Sequence, residues 1–185
     1  MAEELLVVKS NQDLDKLKMQ NISKEIVTYL IPAVIVDCGE FELLAELVRG
    51  GIVVDIDTSR IVDFISLEEL SMNELNVLEQ GMMLGKFTAN DIKTELNYFR
   101  LEAMFLDLIK RELLTLEDNK YKVSDRVQFV YHPEDYATDV IPETIEVEGK
   151  KLDAKTTVHA VKDRINRIAK VNNYKECWIL YYKAK

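Results

Sequence analysis

Residues 71 to 123 run SMNELNVLEQGMMLGKFTANDIKTELNYFRLEAMFLDLIKRELLTLEDNKYKV, and the periodicities within them decide the fold. Ser71 and Glu74 fit a capping box, in which a hydroxyl and a carboxylate each satisfy an orphan amide at a helix start. Met72, Leu75, Leu78 and Met82 then recur at helical spacing, and Gly85 stops that helix. Lys86-Phe87 reads as a short extended link. Thr88, with Asp91 three residues on, predicts a second helix with Ile92 and Leu96 on its inward face. Asn97-Tyr98-Phe99 turns the chain into a third helix from Arg100 to Glu112. Leu113 to Leu116 and Tyr121 to Val123 read as two strands joined by the turn Glu117-Asp118-Asn119-Lys120.

Strand signals dominate upstream. Leu5 to Val8 is an apolar strand, and Ser10 caps a helix over Asn11 to Met19. Ser23 caps a short helix, Lys24 to Leu30, which Ile31-Pro32 ends because proline disfavours helix in the residue before it. Pro32 to Asp37 is a β-branched run of the kind buried on both faces. Phe41 to Val48, Ile52 to Ile56 and Arg60 to Ile65 continue as a meander, with Gly50-Gly51 supplying the positive φ of a tight turn. Ser66 to Glu69 fits a further capping box.

Downstream, Val127 to Tyr131 and Thr144 to Glu148 read as strands, Thr157 to Lys170 as a helix, and Glu176 to Lys183 as a strong final strand. The flanking material is too sparse for two independent cores. The expected fold is therefore mixed α/β (α+β), with the N- and C-terminal parts sharing one mixed or antiparallel sheet and the central unit inserted. The boundaries fall at 1–70, 71–124 and 125–185.

The order of helix, short second helix, third helix and two-stranded wing resembles the winged-helix superfamily of helix-turn-helix domains. The resemblance covers about a third of the chain and rests on element order and core spacing. The core positions of that family's third helix match Leu101, Phe105 and Leu108, and its apolar entry into the wing matches Leu113 and Leu114. Glu112 stands where many members carry a helix-terminating glycine. The resemblance implies either a DNA-reading third helix or a protein-binding one.

Charge favours the second. The formal net charge is −9, but residues 149–185 carry ten Lys and Arg against three acids, so the first 148 residues are strongly acidic and repel a polyanion. On the third helix the outward set includes Glu102 and Asp107, which face phosphate badly, and the wing turn is acidic. Phe99, Ala103, Leu106 and Ile109 form the expected protein interface, of an adaptor or a homodimer. The alternative is a DNA-binding transcriptional regulator contacting phosphate through Arg100, Lys110 and Arg111, helped by the basic helix residues Lys162, Arg164, Arg167 and Lys170.

Other chemistry finds little support. Asp55, Asp57 and Asp63 suggest hard oxygen ligands, but Asp57 reads equally as a turn acid and no ligand loop follows. His132, His159, Cys38 and Cys177 fit no nucleophile or metal spacing. No catalytic residue, metal, cofactor or small-molecule substrate is expected. The longest apolar run is far short of a membrane span, and the acidic start Met1-Ala2-Glu3-Glu4 is unlike a secretory signal, so a cytoplasmic protein is expected.

Overall fold

In the computed structural model, which describes residues 1–185, the two longest strands lie near opposite ends of the sequence and pair with each other. The N-terminal part contains β1 (Glu3–Lys9), α1 (Leu14–Gln20), β2 (Ile26–Asp37), β3 (Glu42–Glu46), β4 (Ile52–Asp55) and β5 (Arg60–Val62). The middle contains α2 (Met72–Leu84), β6 (Lys86–Phe87), a 3-10 turn (Ala89–Asp91), α3 (Tyr98–Lys110), β7 (Leu114–Glu117), β8 (Lys120–Val123) and α4 (Asp125–Tyr131). After a 3-10 turn (Pro133–Tyr136) come β9 (Glu143–Val147), β10 (Lys150–Lys151), α5 (Val158–Asn166) and β11 (Asn173–Ala184). The class is α+β. Two units result, Met1–Phe64 with Pro133–Lys185, and Ile65–His132.

The first unit is built on one mixed sheet of order β5-β4-β3-β2-β11-β1-β9, with β10 beside β2. N- and C-terminal parts do share it. β1 runs parallel to β11 and β10 parallel to β2, while the other pairs are antiparallel. Pro32 to Val36 is buried throughout, as its apolar run predicts. One face of the sheet carries Val8, Ala33, Ile35, Leu44, Cys177 and Ile179, and the other Val7, Leu30 and Leu180.

A proline in a central strand normally costs a ladder bond. Here Leu47 donates to the Pro32 carbonyl at 2.8 Å and Leu152 to the Leu30 carbonyl at 2.9 Å. Both groups of a strand residue point to the same neighbour, so the missing Pro32 donor falls on the side where β3 ends and β10 begins. The bond it cannot make is one that no regular partner needs.

Residues 24–30 are thus mostly strand rather than the expected helix. Ile26, Val27, Thr28 and Tyr29 are β-branched or aromatic, and twelve consecutive pairs with β11 outweigh the Ser23 cap signal. Only Gly50 of the glycine pair has positive φ (+81°), whereas Gly51 is needed for space. A Cβ there would stand 3.0 Å from the Ile61 side chain and from the Val62 carbonyl oxygen. The turn is closed by Glu46, only 3% exposed, whose carboxylate accepts from the amides of Val48 and Arg49.

In the second unit α2 and α3 pack with the sheet β6-β8-β7 around Val77, Leu78, Phe87, Leu101, Phe105, Leu108 and Leu114. Phe105 meets Tyr121 at 4.6 Å between centroids and Phe87 at 5.8 Å, both edge to face. The Ser71–Glu74 capping box forms as read. The second helix does not. Thr88 and Asp91 make their reciprocal bonds, but only one 3-10 turn follows. Ile92 turns extended and buried, and the Gln80 side chain then holds both the amide and the carbonyl of Lys93, each at 2.8 Å. Backbone groups captured by α2 are no longer available to a helical ladder.

Val127 to Tyr131, expected as strand, lies instead within α4 (Asp125–Tyr131). Val127 and Tyr131, four apart, pack on the same core as α2 and α3, a contact that period-two counting of Val127, Phe129 and Tyr131 disguises. The sequence boundary at 124 is displaced accordingly, to His132. Ser66 to Glu69 opens no helix, its hydroxyl turning back onto the Glu68 amide. The Thr157 helix is shorter than expected, ending at Asn166.

Gly81 in α2 sets the closest approach in this unit. A Cβ there would lie 2.6 Å from Phe87 and 2.8 Å from Val123, both fully buried. Alanine gains about 1 kcal/mol of helix propensity against about 1–3 kcal/mol of overpacking. Gly81→Ala is therefore expected to lower the unfolding free energy by up to about 2 kcal/mol in a urea titration.

Candidate functional site

Helix α3 begins at Asn97, whose side chain accepts from the Arg100 amide at 2.9 Å. It ends in a Schellman motif: Leu113 donates to the Leu108 carbonyl and Glu112 to that of Ile109, each at 2.9 Å. Glu112 takes φ +60°, the left-handed conformation glycine would adopt there. The departure noted in the sequence thus keeps the motif and accepts its strain. Its carboxylate reaches Arg126 at 3.0 Å, an exposed pair of small worth. Glu112→Gly is therefore expected to stabilise the protein by about 1 kcal/mol, seen as a higher thermal midpoint.

Leu101, Phe105 and Leu108 face the core. On the opposite side Phe99, Ala103, Leu106 and Lys110 form a stripe at spacings of four, three and four. Phe99 is 83% exposed and Leu106 59%, and Ala103 is exposed between them. Tyr98 stands edge to face with Phe99 at 6.2 Å and is itself 57% exposed. Three of the four residues expected as an interface therefore share one solvent-facing row. Ile109 does not join them. It is half-buried and packs against the core.

Beside the stripe lies a cluster that the sequence reading missed. Tyr121 donates to Glu102 at 3.1 Å, and Tyr98 also hydrogen-bonds this carboxylate. Burial, then Glu102, pushes the Tyr121 phenol up, while for Tyr98 the Glu102 bond is the larger cause. The four-residue spacing of Tyr98 and Glu102 was the available signal. Tyr121 comes from β8 and had none.

The basic residues expected to meet phosphate are dispersed. Arg100 and Lys110 are exposed on α3. Arg111 is engaged instead, paired with Glu74 of α2 and with Asp107 at 3.1 Å, so its charge is locally neutralised. At the β7–β8 turn Lys86 pairs with Asp118 at 3.3 Å and Glu117 at 3.7 Å. In the other unit, Lys162 sits over the Tyr174 ring and Arg164 over Phe64, while Arg167 and Lys170 are exposed at the end of α5.

The acids of the β4–β5 turn serve the backbone. Asp55 accepts from the amides of Asp57 and Thr58, with its carboxyl held low mainly by the Thr58 hydroxyl, and Asp57 accepts from Asn11. No group of three or more His, Cys, Asp or Glu side chains is arranged to hold a metal ion. Burial pushes the thiol of Cys177 up to about 12 and that of Cys38 to about 11, far from nucleophilic range. An open groove of about 480 Å³ is lined by Leu47, Thr157, His159, Lys162, Tyr174 and Glu176. No helix is long and apolar enough to cross a membrane.

Compared with known proteins, the chain matches no family model, no curated protein and no solved structure.

The exposure difference within α3 separates two substitutions. Leu106→Glu is expected to leave the unfolding free energy within about 0.5 kcal/mol of wild type. Ile109→Glu places a carboxylate against the core and is expected to cost about 1–3 kcal/mol. Chemical denaturation of the two variants checks both values.

Proposed function

We propose that this chain is a non-enzymatic assembly or adaptor protein of the cytoplasm, in which residues 65–132 act as a winged-helix module and the outer face of α3 binds protein. The observation that carries this reading is the exposed apolar row Phe99, Ala103 and Leu106, set opposite the core-facing residues of the same helix. Exposed aromatic and aliphatic side chains in register on one helix gain free energy when covered, at roughly 25 cal/mol per Å² of apolar surface removed from water. Helix-in-groove recognition uses anchors at this spacing.

Electrostatics support protein over nucleic acid as the occupant. A groove-reading helix gains affinity from free cations, and affinity falls with salt as each phosphate contact releases counterions. On this helix Arg111 is neutralised, Asp107 and Glu102 flank the apolar row, and the wing turn carries Glu117 and Asp118.

The test is retention of a partner from a lysate of the native host by the wild-type chain and by Phe99→Glu/Leu106→Glu. Loss of the partner from a variant with an unchanged melting curve is expected. Fluorescence anisotropy with random and genomic duplexes at physiological salt should give binding no tighter than the ~10⁻⁴ to 10⁻⁶ M of non-specific association. Nanomolar, sequence-dependent binding that Arg100→Ala abolishes would replace this reading with that of a DNA-binding transcriptional regulator.

A further inference from the structure

We propose that the occupant of the α3 face is a second copy of this chain, docked helix against helix in an antiparallel, two-fold arrangement centred close to Ala103. This rests on the interface reading above and names its partner. In a two-fold contact residue i of one copy meets j of the other, and j meets i. A helix that pairs with itself in antiparallel fashion must therefore carry complementary groups on either side of a centre.

Helix α3 has that pattern in two adjacent rows. Phe99 and Leu106 are seven residues apart, almost two full turns, so they lie one above the other, and both are exposed and apolar. Arg100 and Asp107 repeat the same separation one position on, with opposite charges, and both are exposed. Ala103 lies between the two pairs, where a small side chain lets two helix axes approach. In the antiparallel arrangement Arg100 of each copy faces Asp107 of the other, so one charge pair becomes two by symmetry. Phe99 of each copy covers Leu106 of the other. A parallel arrangement would set Arg100 against Arg100 and Asp107 against Asp107, which disfavours it. Asp107 already accepts from Arg111 at 3.1 Å, and a carboxylate has capacity for a second cation.

The size of the surface sets the strength. A 13-residue helix is about 20 Å long. One such pair covers less than the roughly 1,600 Å² of a standard interface, so a concentration-dependent dimer with a dissociation constant in the range of about 1–100 µM is expected.

Sedimentation equilibrium of the full chain across that range tests the proposal. Wild type is expected to dimerise reversibly. Arg100→Asp and Asp107→Arg, each alone, should raise the dissociation constant by at least about tenfold, since each sets like charges opposite one another twice. An equimolar mixture of the two variants should dimerise again, because the first then carries only acids and the second only bases at these positions. The double variant R100D/D107R should also dimerise, and thermal unfolding identifies any variant that fails to fold. A wild-type chain that stays monomeric throughout, or a dimer indifferent to every exchange, overturns the proposal. Continued lysate capture that still requires Phe99 and Leu106 would then leave the interface reading standing without the second copy, while loss of both would end both.

Discussion

The pairing of β2 with β11 is the contact on which the larger unit depends. It runs through twelve register pairs, from Asp37 opposite Asn173 to Ile26 opposite Ala184, and joins segments from the two ends of the sequence. Every other strand of that sheet attaches directly or indirectly to one of these two. β3, β4 and β5 build outward from β2, while β1 and β9 build outward from β11. Closing so distant a pair costs chain entropy before any local contact repays it. Burial of Leu30, Ala33, Ile35, Cys177, Ile179 and Leu180 across this pairing is the return on that cost. Pro32 is tolerated within it because its absent donor lies between two short neighbours rather than toward β11.

The smaller unit depends on shorter-range contacts. Its helix ends are closed by its own side chains and backbone: Ser71 with Glu74, Thr88 with Asp91, Asn97, and the Schellman turn at Glu112. Its mainly aliphatic core contains interacting aromatic rings from β6, α3 and β8, approached closely at Gly81. The β7–β8 turn places Asp118 and Asn119 at positive φ, a two-residue hairpin geometry that these residue types adopt at modest cost. Most of these constraints act over a few residues, which is why the element order of this region is readable without coordinates.

Helix α3 has two unlike sides. The inner side is a regular core face. The outer side exposes an aromatic ring and a leucine around an alanine, bordered by Arg100 and Asp107. Pairing of Arg111 with Glu74 and Asp107 ties the end of this helix to α2 and offsets one surface positive charge. Both effects support the proposed protein-binding role of this face over phosphate recognition.

The amino-acid sequence by itself determined the elements whose signals are local: the Ser71–Glu74 capping box, helices α2 and α3, the core positions of α3, strands β7 and β8, the apolar run of β2 and the strong strand β11. On α2 only Leu78 of the expected apolar face is fully buried, and Met72 is 82% exposed. The sequence also separated Phe99, Ala103 and Leu106 from Leu101, Phe105 and Leu108 by helical spacing alone. Tertiary structure decided where local signals competed. Thr88 capped only a 3-10 turn because Gln80, distant in sequence, took the backbone of Lys93. Residues 26–30 became strand because β11 supplied a partner, and residues 125–131 became helix because Val127 and Tyr131 had a core to enter. The engagement of Arg111, the half-burial of Ile109 and the convergence of Tyr98 and Tyr121 on Glu102 were likewise set by neighbours from other elements. Propensity and spacing act over one or two turns of chain, whereas these outcomes depend on which distant group arrives to satisfy a backbone amide, a charge or a hydrophobic face.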